Sequence, residues 1–125
     1  MSTFYVKAAS ILGASGVLLA AYGAHGLEKA VNGDVGKLKA WNSASNIQLI
    51  HSVALFAIAT RAGPSSTWAR YAAPLILAGT VMFSGSIYAL IATSQERGSP
   101  LRRVLGPTTP LGGLVLTAGW LTLAF

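Results

Sequence analysis

Residues 8–27 read AASILGASGVLLAAYGAHGL, twenty residues without an Asp, Glu, Lys or Arg. A helix of about 20 mainly apolar residues crosses the hydrocarbon core of a bilayer. Three more charge-free stretches follow, at 40–60, 71–95 and 104–125. Four such stretches in 125 residues predict four transmembrane helices, over about 4–25, 43–61, 70–94 and 109–125. Composition agrees: 53% of residues are hydrophobic and 10% charged, against about 25% charged in a soluble domain. A soluble core of entirely buried helices would need far more chain to cover it. The expected fold is all-α, a single integral membrane four-helix bundle of antiparallel spans joined by short loops.

The first stretch also shows how such helices would touch. Ala9, Gly13, Gly16, Ala20 and Gly23 recur at spacings of 4, 3, 4 and 3. In lipid, helices associate by close backbone approach, so a stripe of small residues marks a contact face. That face predicts an inner first helix, and a retained one, although its N-terminus resembles a secretory signal. Ala78, Met82, Gly85, Ala89 and Ala92 repeat the spacing in the third span and are its expected partner. Gly112, Gly113 and Gly119 suit close packing of the fourth.

Turn and cap residues set the remaining boundaries. Asn32-Gly33-Asp34 marks a turn in the first loop. Ser43 is a candidate N-cap for the second span. Gly63-Pro64 ends it. Pro74 starts or kinks the third. Thr109 as N-cap and Pro110 at the first helical position open the fourth.

The chain has no cysteine, which leaves the redox compartment open. The net charge is +6, but the basic residues sit in short loops beside apolar spans, which excludes a nucleic-acid stripe. Anionic lipid headgroups and other membrane subunits, or a second copy, are the expected partners. Lys7, Arg61 and Arg70 fall on one side of the predicted membrane; Lys29, Lys37, Lys39, Arg97, Arg102 and Arg103 fall on the other. The positive-inside rule then places loops 1 and 3 in the cytoplasm or matrix.

Loops 1 and 3 also gather the unusual polar residues. His51 is an ionisable group inside a span, where a functional role is the first hypothesis. Four readings stand: a neutral imidazole bonded across helices with Gln48, a lipid or protein contact, a proton or solute path, and a metal ligand. His25, at the end of the first span, would bond its last carbonyls. The two histidines share a side and could approach each other. Two histidines alone make a poor metal site, and no catalytic or cofactor motif accompanies them. Trp41 belongs at headgroup level. Arg102-Arg103 could hold phosphates or anchor the loop.

GAHGL (23–27), W-x6-Q-x2-H (41–51), FSGSIY (83–88), GPTTPLGG (106–113) and the closing GW (119–120) together resemble a small membrane family. It is the domain of unknown function 423 family, which includes bacterial proteins and eukaryotic transmembrane protein 256. The resemblance implies four transmembrane helices and brings no established activity. It extends to His25, Trp41, Gln48, His51, Ser84, Tyr88 and a glycine-proline turn at Gly106-Pro107. Ile47 stands where relatives often carry an aromatic, and Thr108 where they carry an apolar residue. The expected function is non-catalytic, without cofactor or metal: a structural, accessory or lipid-contacting part of a bacterial cytoplasmic or mitochondrial inner-membrane assembly. The alternatives are a small oligomeric transporter or channel using the His/Gln site, and a membrane enzyme or haem protein.

Overall fold

The computed structural model describes residues 2–63, 65–96 and 98–125, and these are helical with no strand. The expectations for Pro64 and Arg97 lie outside the described residues. Five helices follow in chain order: α1 (Thr3–His25), α2 (Leu27–Ala30), α3 (Val35–Arg61), α4 (Trp68–Ala92) and α5 (Pro100–Leu121). Three of them, α1, α3 and α4, are long and apolar enough to cross a membrane.

The first boundary falls where the sequence puts it. Gly26 interrupts the helix after His25, its N–H bonded to the Tyr22 carbonyl. The chain then makes one short turn of helix and reverses at Asn32 and Gly33. Both have positive φ, 53° and 70°, which suits an asparagine-glycine pair.

The second boundary does not. Helix α3 starts at Val35, eight residues before the expected Ser43 cap. Asp34 is the N-cap, its carboxylate accepting from the Lys37 N–H at 3.2 Å. Lys37 and Lys39 read as loop by charge, yet both are good helix formers and extend α3 out of the apolar zone.

Helix α5 shifts further. It starts at Pro100, with the Ser99 side chain accepting from the Arg102 N–H. Pro107 and Pro110 therefore lie inside the helix: Gly106-Pro107 is not a turn, Thr109 not a cap and Pro110 not a first helical residue. Serine then proline at 99–100 is the same start signal as threonine then proline at 109–110, used ten residues earlier. Interior prolines survive in membrane helices where neighbouring helices and hydroxyls re-satisfy the backbone. Here Pro107 and Pro110 free the carbonyls of Arg103 and Gly106, both exposed residues, while the neighbouring Thr109 hydroxyl ties this stretch to Ser86 on α4.

Packing corrects the expected partnership of stripes. Helices α1 and α3 run antiparallel along their whole length, from the Ser2 N–H on the Ala59 carbonyl to Gly23 against Trp41. A Cβ at Gly23 would lie 2.6 Å from the indole ring, so only glycine lets this ring in. The stripe of α1 thus meets α3, not the third span. Nor is α1 an inner helix: only 11% of its apolar window is buried, and Ile11, Val17 and Leu18 face outward.

The second stripe fails for a local reason. Helix α4 contains two π turns, Trp68–Ala72 ahead of Pro74 and Val81–Gly85 in the middle. A π turn holds one extra residue, so it shifts the phase of everything after it. Ala92, beyond the second π turn, is consequently exposed; Ala78, ahead of it, is exposed as well, and Gly85 meets only its own neighbour Val81. The close approach comes instead from Gly79 with Gly112 and Gly119 of α5. A Cβ on Gly112 would sit 2.5 Å from the Phe83 backbone nitrogen.

Among the described residues the main contacts run in a row, α1 on α3, α3 on α4 and α4 on α5, with side chains of α3 also reaching α5 and no extended contact closing α1 onto α4 or α5. One apolar cluster joins Ala9, Leu55, Ile58, Ala73, Ile76 and Leu116 towards one end. A second joins Leu27, Val31, Trp41 and Ile91, bringing loops 1 and 3 together at the other.

Candidate functional site

Between the two apolar clusters lies a layer of polar side chains centred on α3. Its charge-free run, 40–60, has its midpoint near residue 50, so Gln48 and His51 stand at mid-depth of that run. They are 4% and 6% exposed, which makes their hydrogen bonds obligatory rather than optional.

Gln48 is fully used. Its amide nitrogen donates to the Leu12 carbonyl at 2.9 Å and to the Ser15 hydroxyl at 2.8 Å on α1. Its amide oxygen accepts from the Tyr88 hydroxyl of α4 at 2.8 Å. One turn earlier, the Ser84 hydroxyl donates to the Ala44 carbonyl at 2.7 Å. Ser84 and Tyr88 are four apart on α4, as Ala44 and Gln48 are on α3, so both bonds join the same two helix faces. Trp41 adds a third link, its indole N–H donating to the Leu19 carbonyl at 2.8 Å.

His51 bonds differently from the expectation. Its partner is not Gln48 but Trp120 of α5, whose indole N–H reaches the imidazole Nε2 at 3.0 Å. An indole can only donate, so Nε2 accepts and carries no proton. The proton therefore sits on Nδ1, which faces the Ile47 carbonyl at 2.7 Å. These two bonds select one neutral tautomer. Among the described residues no buried side-chain nitrogen or oxygen lacks a partner.

The other candidates lie apart from this layer. His25 is exposed at the end of α1. With Gly13 opposite Ser52 and Gly23 opposite Trp41, His25 is level with about residue 39 of α3. That places it roughly 18 Å along the axis from His51, at 1.5 Å per residue. The histidines do not form a pair. Arg102 turns inward, donating to the Leu90 carbonyl at 2.7 Å and approaching the Thr93 hydroxyl at 3.3 Å. It thereby satisfies an end carbonyl of α4 and its dipole. Arg103 is exposed.

Trp120, Tyr88, Ser84 and Ser15 are the participants that spacing on α3 does not disclose. Ser84 and Tyr88 had a readable sign, a four-residue interval of polar groups in a charge-free span. Trp120 stood out only as part of the closing GW, with nothing to tie it to His51, because the contact spans 69 residues.

The geometry can be set beside known proteins. A family model described as protein of unknown function, DUF423, matches residues 19–113. The chain belongs to this family. The match contains Trp41, Gln48, His51, Ser84 and Tyr88, so most of the polar layer lies inside the DUF423 region; Leu12 and Ser15 precede it and Trp120 lies beyond it. A UPF0382 membrane protein of Schizosaccharomyces pombe is 42% identical over 92% of this chain and 93% of its own length. One from Staphylococcus aureus is 37% identical over 90% and 88%. The Bacillus subtilis UPF0382 membrane protein YwdK is 35% identical over 93% and 92%. No solved structure matches the chain.

Proposed function

We propose that this DUF423 chain is a non-catalytic, four-span component of a bacterial cytoplasmic or mitochondrial inner membrane. In this reading it is a structural, accessory or lipid-contacting part of a larger assembly, and an energy-converting complex is the first host to test. One observation carries the reading: the polar groups at mid-depth are spent on bonds between helices. A group that must accept a solute or a reacting proton needs a free lone pair or donor facing an open path. Helix α5, with its charge-free run 104–125, supplies the fourth span. Loops 1 and 3, richer in Lys and Arg, face the cytoplasm or matrix.

The test is gentle extraction followed by affinity purification and native mass spectrometry. A discrete complex with another membrane subunit, or with retained phospholipid, is expected. A chain that always runs alone and lipid-free overturns the reading. Solute flux into proteoliposomes that His51→Ala abolishes would place the chain among transporters instead.

A further inference from the structure

The end of the molecule opposite loops 1 and 3 carries a lateral cleft of about 360 Å³. Helix α3 contributes Ala54 and Ala57, the start of α4 contributes Trp68, and Trp120 near the end of α5 and Leu123 just beyond it close the cleft. Arg61, the last residue of α3, completes the lining. Ala57, Arg61, Trp68 and Trp120 are all exposed, so the cleft opens outward rather than into the core.

Three features define what fits. The lining is apolar apart from one guanidinium. Trp68 stands between Arg61 and Arg70, outside the charge-free runs, at the level where tryptophan meets headgroups, while the Trp120 indole lies deeper, bonded to His51. The third feature is charge. The chain has three acidic side chains, Glu28, Asp34 and Glu96, and all lie in loops 1 and 3. The cleft end holds Lys7, Arg61 and Arg70 and no acidic side chain, so its cations have no carboxylate side chain of their own there. An apolar trough beside an arginine at headgroup level, at an end without acidic side chains, has the polarity of an anionic phospholipid.

We propose that this cleft holds one anionic phospholipid, an acyl chain against Ala54, Ala57 and Leu123 and the phosphate on Arg61. The proposal rests on the membrane reading above and deepens it by naming the site. It also gives the His51 bond a purpose: the imidazole holds the Trp120 indole in place as a wall of the cleft.

The test is tryptophan quenching by acyl-brominated lipids in phosphatidylcholine vesicles. Brominated phosphatidylglycerol should be enriched over brominated phosphatidylcholine by about fivefold, the factor one arginine near an anionic surface contributes. Arg61→Gln, at an exposed position, should remove the preference, and so should Ala57→Leu, which fills the trough and keeps the charge. Arg103→Gln, at the far end, should leave it intact. Equal quenching by the two lipids, or a preference that survives either cleft variant, overturns the proposal. So does displacement by soluble glycerol phosphate, which would make the site one for free phosphate. Partner co-purification is read separately, so loss of the lipid preference beside an intact complex removes the cleft and leaves the accessory role.

Discussion

At the scale of single residues, Gln48 does the most. It joins α1, α3 and α4 through one amide, so its loss should be felt in two interfaces at once. Hydrogen bonds between membrane helices contribute about 0.6 kcal/mol on average, up to about 1.7. Gln48→Leu is therefore expected to cost about 1–2 kcal/mol, since it also strands the Tyr88 hydroxyl. Unfolding in mixed micelles measures this, and the double variant with Tyr88→Phe should cost less than the two single losses added. Additive losses would show that the amide and the phenol do not interact. The sequence pointed to Gln48 and His51 because polar groups in a charge-free run are conspicuous. It could not assign their partners. Two carbonyls, Leu12 and Ile47, are acceptors that any residue type provides, and Trp120 sits far away in the chain.

At the scale of elements, the glycines divide into those that matter and those that do not. Gly112 lies against the Phe83 backbone, which cannot move without moving α4. Gly112→Ala is expected to destabilise by about 1–3 kcal/mol, as overpacking does. Gly13→Ala should be neutral or stabilising. Its Cβ would meet only the Ser52 hydroxyl at 3.5 Å, and alanine is the better helix former. Thermal melting in detergent compares the two, and equal melting temperatures would contradict the close α4–α5 approach. Three of the four expected spans, α1, α3 and α4, were legible because hydrophobic length is a property of consecutive residues. The stripe on α4 was misread because a period of 3.5 assumes an unbroken helix, and the π turn Val81–Gly85 breaks the count. The start of α5 was misread because two serine- or threonine-proline pairs compete, and only packing against α4 chooses between them.

At the scale of the whole molecule, the described helices form a row with a free edge at α1. A short bismaleimide should therefore cross-link Ser2→Cys with Ala59→Cys in high yield, since their backbones already share a hydrogen bond. It should not join Leu18→Cys to Leu114→Cys, both outward-facing on helices that do not meet. Efficient cross-linking of the second pair in dilute, monomeric protein would mean a closed ring. Antiparallel neighbours were legible from short connections, but which edge stays open was not, because no spacing rule says how many sides of a helix will be covered. That open edge has a consequence for how the protein is made. The bonds of α1, 2 to 59, 12 to 48 and 19 to 41, all close within the first 61 residues. The bonds from α3 to α4 and α5, 44 to 84 and 51 to 120, come later in the chain. A ribosome that has exposed only the first hairpin has already delivered a finished pair of spans, and the remaining two helices are laid against it as they emerge.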